Sequence, residues 1–396
     1  MALLRGSMRG MTLIKVVILA RILTPSQFGV YGIAVLVLGL LEILTETGIN
    51  VVLIQEEGKT DKFISTAWIV SIFRGILISL IILAFAPFIS GFFGSANALN
   101  LIRFAVLIPL IRGFINPSIV KFQKELAFNK EFWFRSSLFL VDTAFAIALG
   151  IITKSEYALI WGMLIAAAFE VVVSFFIVKP IPKVEFDFAK VKKVISRGKW
   201  ITLAGTFEYL FGHIDDIAVG KLLGIAPLGL YQQAYRVSTL PIAEVGEIFN
   251  KVTFPTYIKV SGDRQRLKKA FLKVTSVISL LVIPFGLILF FFAREVVLVL
   301  LGDKWLEASE VLKVLAVFGI LKAISNSAYS LFLSLKKQEI ITLITLVGIL
   351  GLSIPLIPLI NKFGIVGAAY ATIIGTLAVA PITFYHLTKI FKNEKN

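Results

Sequence analysis

The sequence predicts an all-α polytopic membrane protein with about twelve transmembrane helices, arranged as two parallel six-helix bundles around a central cavity. Composition, the alternation of charge between apolar segments, and an internal repeat each point there. Of 396 residues, 58% are hydrophobic and 16% charged, with 34 Phe and a mean hydropathy of +0.91. That leaves too little polar surface to cover a soluble globule of this size, so the bilayer is the main solvent. No long polar stretch marks a second, soluble domain. The absence of Cys excludes disulfides and thiolate chemistry, and His213 and His386 are too few for a His-rich metal site, so no metal and no cofactor are expected. The net charge of +16 is spread between apolar segments rather than gathered on one exposed face, which argues against nucleic acid and leaves membrane lipids as the general partner.

A bilayer core about 30 Å thick needs about 20 apolar residues in a helix. The first six segments that approach this run over 8–23, 30–45, 63–88, 99–120, 132–153 and 156–178. The second six run over 200–223, 228–249, 271–300, 308–335, 340–360 and 365–390. The first contains Lys15 and lacks a small-residue cleavage site, so it reads as a short first helix rather than a signal peptide.

Basic residues test this count, because a wrong number of helices would scramble their alternation. One side collects clusters such as Arg5 and Arg9, Lys121 to Arg135, Lys179 to Lys199, Lys251 to Lys273, and Lys389 to Lys395. The other side has Arg21, Lys154, Lys221, Arg294, Lys304 and Lys362. Both termini are therefore expected in the cytoplasm, with the chain in the cytoplasmic membrane. Within the connection from Lys179 to Lys199, Phe188, Val191 and Ile195 recur at helical spacing beside Lys190, Lys192, Lys193 and Arg197, the pattern of a basic amphipathic helix lying on the inner surface.

Arg21 to Tyr31, with Pro25, Phe28 and Gly29, corresponds to Lys221 to Tyr231, with Pro227, Leu228 and Gly229. Arg103 and Arg112 correspond in the same way to Lys313 and Lys322. An even number of helices per copy makes the repeats parallel, related by an axis along the membrane normal. The halves are expected at 1–182 and 183–396, the second preceded by the basic amphipathic segment.

The repeat junctions also carry a family resemblance. Ala20 to Tyr31, Glu46-Thr47-Gly48-Ile49, Leu53-Ile54-Gln55, Asp215 to Gly220, Gly229-Leu230-Tyr231, Ala234-Tyr235-Arg236, Leu240-Pro241, Phe254-Pro255 and Leu301-Gly302 with Trp305 resemble, in order and spacing, the Wzx-like exporters of bacteria and archaea. These flip polyprenyl-linked oligosaccharides and share a superfamily with multidrug and toxin extrusion antiporters and peptidoglycan lipid flippases. The resemblance spans nearly the whole chain. It implies a transporter without catalytic residues, a polyprenyl-linked glycan as substrate, and a glycan polymerase or glycosyltransferase complex as a candidate partner. The first helix departs from the family in being shorter.

A charge at a helix centre costs roughly 2.5–3.5 kcal/mol on insertion scales, so such residues face a bundle interior or water. Arg74, Arg112, Arg236 and Lys322 are the head-group candidates, since guanidinium forks and a lysine point charge suit pyrophosphate oxygens. Arg112 lies between Pro109 and Pro117, where a helix break would expose backbone polar groups. Lys15, Arg103 and Lys313 read instead as snorkelling residues. Glu42, Glu208, Asp215, Asp216, Glu244 and Glu247 are candidates for an acidic cavity lining or for coupling to H⁺ or Na⁺. On one continuous helix Glu208, Asp215 and Asp216, at i, i+7 and i+8, form one stripe, and Arg236, Glu244 and Glu247 form another. Acids are as numerous as the deep bases, so the cavity need not be strongly cationic. The plain alternative is that the acids pair with Arg236 or Lys322 and hold the halves together. His213 reads as a partner of Asp216 or a packed histidine before a cavity ligand, and Tyr209, Tyr231, Tyr235, Trp161 and Tyr329 as packing before sugar platforms.

Gly58-Lys59-Thr60 ends like a phosphate-binding loop, but Leu53 stands at the required first Gly, so no ATPase is expected. The reading that follows is export of a polyprenyl-pyrophosphate-linked oligosaccharide by alternating access. Two others use the same residues: a proton- or sodium-coupled small-molecule antiporter, and a non-transporting scaffold of a glycan assembly complex. An O-antigen polymerase or ligase would need a larger outer loop than these segments leave.

Overall fold

The computed structural model describes residues 2–44, 61–184 and 205–392, apart from the side chains of 2–9, 61–62 and 240–252. Every regular element among them is helical, and the chain divides into two compact units, residues 1–213 and 214–396.

The first unit contains α1 (Ala2–Ile22), α2 (Pro25–Leu44), α3 (Asp61–Phe92), α4 (Ala96–Ala105), α5 (Leu107–Arg112), single turns at Pro117–Val120 and Lys121–Lys124, α6 (Phe128–Thr153) and α7 (Tyr157–Ile177). A further helix covers 205–212. The repeated Thr24-Pro25-Ser26-Gln27 stretch is a capping box. The Thr24 hydroxyl accepts from the Gln27 N–H at 3.3 Å, the Gln27 carboxamide accepts from the Thr24 N–H at 2.9 Å, and Pro25 opens the helix where no N–H is needed. Ser95 caps α4 by accepting from the Ala98 N–H at 3.1 Å. Lys154, in the left-handed conformation with φ 47°, ends α6.

The second unit contains α8 (Ile214–Leu222), α9 (Ile225–Val260), α10 (Arg264–Phe291), α11 (Ala293–Leu300), a short turn at Asp303–Trp305, α12 (Ala308–Ser334) and α13 (Gln338–Lys392). Helix α12 packs against α9, α10 and α13, and Tyr257, Phe271, Leu331 and Phe332 form one buried apolar cluster among them. Gly364, at φ 60° and ψ −139°, breaks α13 between the two segments expected there.

Six helices among the described residues are long and apolar enough to cross a membrane, and the bent pair Ala96–Arg112 with Pro117–Lys124 makes seven. This differs from the expected dozen at identifiable places. Two expected segments sit within α13; α1, α9 and α12 are not among the six; and the 200–223 segment is interrupted by a turn at His213. The 271–300 segment is likewise two helices, α10 and α11, meeting at Phe292. The amphipathic segment's Phe188, Val191 and Ile195 lie outside the described residues.

Helix α3 crosses the α4–α5 connection at backbone contact. A Cβ built on Gly75 would lie 2.5 Å from the Pro109 carbonyl oxygen and 3.2 Å from the Gly113 Cα. The Ser79 hydroxyl donates to the carbonyls of Gly75 and Val106, closing the crossing. Gly75→Ala is expected to cost about 1–3 kcal/mol by overpacking, seen as a lower thermal unfolding midpoint in detergent.

Candidate functional site

Arg112 is the last residue of α5, and the chain cannot continue as helix because Pro117 supplies no N–H and holds Asn116 extended at φ −68°, ψ 114°. The two arms meet at 73°. Where exposed backbone groups were expected, three groups at this break have protein partners. Trp68 Nε1 donates to the Phe114 carbonyl at 3.0 Å, the Asn116 N–H donates to Ser174 Oγ at 3.0 Å, and the Asn116 side chain accepts from the Ser118 N–H at 3.0 Å. These bonds hold the turn from which Arg112 projects. At the repeat-related Lys322 no break is present, because α12 runs through it.

Three candidates meet at this end of α2. Arg112 Nη1 lies 3.0 Å from Glu42 Oε1, and Arg74 Nη2 donates to the Glu42 backbone carbonyl at 2.5 Å. The side chains of Arg112 and Glu42 are 41% and 37% exposed, so the pair is partly screened and open to exchange for another anion.

Beside it lies a cavity of about 490 Å³ lined by Lys15, Tyr31, Arg112, Arg135, Asp142 and Glu170 among others. Lys15 does not snorkel as expected. Its side chain is 8% exposed and its ammonium sits 2.5 Å from Asp142 Oδ2, which ties α1 to α6. Asp142 is in turn close to α7, since a Cβ on Gly162 would come within 2.6 Å of the Asp142 carbonyl oxygen. Arg135 is aimed by Glu131, whose Oε1 accepts from Arg135 Nε at 3.1 Å and from the Gln123 amide at 2.8 Å. Sequence reasoning assigned Arg135 to a basic loop end, although Glu131 four residues before it was a readable helical pair. The Lys15–Asp142 contact spans 127 positions and had no local signal.

The second unit holds a different cluster. Asp215 is 5% exposed and accepts from the Tyr231 hydroxyl at 2.7 Å and from the Asp216 N–H at 3.0 Å. The Lys322 ammonium donates to the Tyr235 hydroxyl at 3.3 Å and lies 5.2 Å from the Phe318 ring centroid, a cation–π contact. Tyr231 and Tyr235 pack with centroids 6.3 Å apart, linking the two ends of the cluster. Arg236 is half-buried on the same helix, and the side chains of Glu244 and Glu247 lie outside the described residues. Tyr231→Phe would leave the buried Asp215 with one donor fewer. It is expected to cost about 1–3 kcal/mol, read as a lowered unfolding midpoint.

The single acidic stripe assumed one continuous helix. The turn at His213 breaks the 100° per residue phase, so Asp215 is buried, Asp216 half-buried and Glu208 exposed. His213 is a packed histidine, its ring 4.4 Å from that of Tyr209. Tyr209 itself donates to the Leu36 carbonyl at 2.9 Å over Gly39, and Tyr231 is fully buried and offers no face to a sugar. Trp161 and Tyr329 are 44% and 47% exposed. Among the described residues no group of three His, Cys, Asp or Glu is arranged to hold a metal ion.

The family model for polysaccharide biosynthesis proteins matches residues 18–310, well over half of the chain. The chain belongs to that family. Among this family member's relatives is an uncharacterized membrane protein in the cps region of Klebsiella pneumoniae, 27% identical over 380 residues, covering 95% of this chain and 78% of that one. The lipopolysaccharide biosynthesis protein WzxC of Escherichia coli (strain K12) is 24% identical over 333 residues, or 84% and 68% of the two chains. Among solved structures, the lipid II flippase MurJ in its inward closed conformation superposes with a TM-score of 0.74 at 16% identity, over 99% of this chain and 89% of that one. At that identity the likeness shows the fold alone, that of an all-helical, multi-pass membrane protein.

Proposed function

We propose that this chain is a flippase that carries a polyprenyl-pyrophosphate-linked oligosaccharide across the cytoplasmic membrane by alternating access, for surface polysaccharide synthesis. The observation that carries this reading is the cavity of the first unit, where Lys15, Arg112 and Arg135 line about 490 Å³ inside an apolar, membrane-spanning protein. Arg112 and Arg135 present guanidinium groups to phosphate oxygens and Arg74 holds Glu42 in place, while Lys322 and Arg236 are separate head-group candidates within the second unit. Membership of the polysaccharide biosynthesis family and the relationship to WzxC support a glycan substrate.

The polyprenyl tail stays in lipid while the polar head group crosses. Moving an anionic head group out of a negative interior gains about 2.3 kcal/mol per charge at 100 mV, so two charges gain about twice that and ATP is not required. Asp215, buried and hydrogen-bonded in the second unit, supports a further element of the proposal, coupling to an inward H⁺ or Na⁺. The alternation of basic clusters supports twelve crossings with both termini inside, and the repeat supports 1–182 and 183–396 as the two halves. Glycan polymerases and glycosyltransferases are the natural neighbours of such a protein in a cell.

Depleting the chain from its host should cause lipid-linked oligosaccharide to accumulate on the inner leaflet while surface polysaccharide falls. Unchanged surface polysaccharide together with slower extrusion of a cationic dye would replace this reading with the small-molecule antiporter.

A further inference from the structure

The two ends of the second unit carry very different charge. At one end a buried apolar cluster gathers Tyr257 of α9, Leu267 and Phe271 of α10, and Leu331 of α12. Ile340 at the start of α13 belongs to the same cluster, and Phe391 near the end of α13 packs against it, its ring 5.8 Å from that of Phe271. Helices therefore begin and end together here, and their basic residues surround the cluster. Lys259 lies in the last turn of α9, and Arg264, Arg266, Lys268, Lys269 and Lys273 open α10. Lys336 and Lys337 join α12 to α13, and Lys389 and Lys392 lie in the last turn of α13. Only two acids among the described residues answer them: Glu339, and Asp263, which is bonded to Arg266 at 3.1 Å. At the other end Lys221, Arg294, Lys304, Lys313 and Lys362 are set against Glu295, Asp303, Glu307 and Glu310, so charge there nearly cancels.

This basic collar sits at head-group depth. From Val274 to Phe291, α10 has no charged residue, a run that spans about 27 Å and so matches the hydrocarbon core. Leu267 and Phe271 are buried in the cluster, while Lys268, Lys269 and Lys273 on the same turns are exposed. Tyr385, 61% exposed and one turn before Lys389, stands where amphipathic rings collect at a membrane surface. Lys268, Lys269 and Lys389 are exposed and make no ion pair among the described residues. We propose that the collar binds the anionic phospholipid head groups of the leaflet beside it. Basic clusters next to a membrane span attract such lipids, each cation adding to the attraction within a Debye length of the surface. A lipid-linked pyrophosphate shares the phosphate chemistry, but phospholipids are the abundant source at this depth and occupy the collar. The proposal does not depend on the flippase reading, because an anchored second unit would serve any cargo.

The test is the binding of chain-labelled fluorescent phosphatidylglycerol and phosphatidylcholine to the purified full-length protein in detergent, followed by fluorescence anisotropy. The parent is expected to hold phosphatidylglycerol about tenfold more tightly than phosphatidylcholine in about 0.1 M salt, and to lose that preference in about 1 M salt. The triple variant Lys268→Gln, Lys269→Gln and Lys389→Gln should lose about tenfold in phosphatidylglycerol affinity and keep its phosphatidylcholine binding, which checks that it is folded. Arg294→Gln, Lys304→Gln and Lys362→Gln together remove the same charge from the other end and should shift phosphatidylglycerol affinity by less than about twofold. Equal phosphatidylglycerol affinity in the collar variant and the parent overturns the proposal, as does an equal loss in the two triple variants. A parent that prefers neither lipid also overturns it, and leaves an acidic protein face as the collar's occupant. If the collar variant loses both lipids by unfolding, the parent decides: a preference that survives high salt overturns the proposal.

Discussion

Replacing Asp142 with alanine should destabilise the protein by about 3–5 kcal/mol, because it strands the Lys15 ammonium in a site where its side chain is 8% exposed. The pair itself need not be stabilising against an apolar equivalent, since two desolvated charges repay their burial only in part. The double variant Lys15→Met with Asp142→Leu should therefore recover most of the loss, and the single variant Lys15→Met should fall between, leaving Asp142 alone. Unfolding midpoints in detergent measure all three. An Asp142→Ala protein as stable as the parent would mean that Lys15 reaches lipid head groups or water, as its position in the sequence first implied.

Arg112→Glu should reduce the initial rate of substrate transport at least a hundredfold at matched levels of inserted protein. It loses charge-assisted bonds to the head group, each worth about 1.5–3 kcal/mol, and sets a second carboxylate beside Glu42, which now lies 3.0 Å from the guanidinium. Arg112→Lys keeps the charge and loses the fork, so it should retain a measurable fraction of the rate. Lys322→Glu is expected to be as inactive, by placing an acid within the cluster that already holds the buried Asp215. Full transport by both reversal variants would move the head-group site elsewhere.

The residues that were legible are those with local signatures. The boundary between the last two segments was readable because Asn361-Lys362-Phe363-Gly364 interrupts an apolar run, and Gly364 is where the backbone breaks. The Arg112 turn was readable because Pro109, Gly113 and Pro117 cannot sustain a helix together. The turn at His213 was not, since no proline or β-branched run marks it, and missing it placed Glu208, Asp215 and Asp216 on one stripe. Partners were the least legible feature. Lys15 finds Asp142 and Arg112 finds Glu42 across 127 and 70 positions, and nothing in either segment specifies which distant acid a cation will meet.

These contacts also change what the candidate residues do. Glu42 was separable from the cations on paper, but in the fold it joins Arg74 and Arg112 into one unit, and Arg135 and Lys15 enter the site from segments assigned to a loop end and to the membrane surface. Each cation of the cavity is paired with an acid, which is why the preference proposed for a diphosphate depends on bidentate geometry.

The most direct test is reconstitution of the purified chain in liposomes with a fluorescent polyprenyl-pyrophosphate oligosaccharide on one leaflet, following its exposure to a membrane-impermeant quencher. Transfer between leaflets that requires Arg112 and is lost in Arg112→Glu is the predicted result. A probe that never changes leaflet, in vesicles that do exchange a cationic dye for protons, would contradict it.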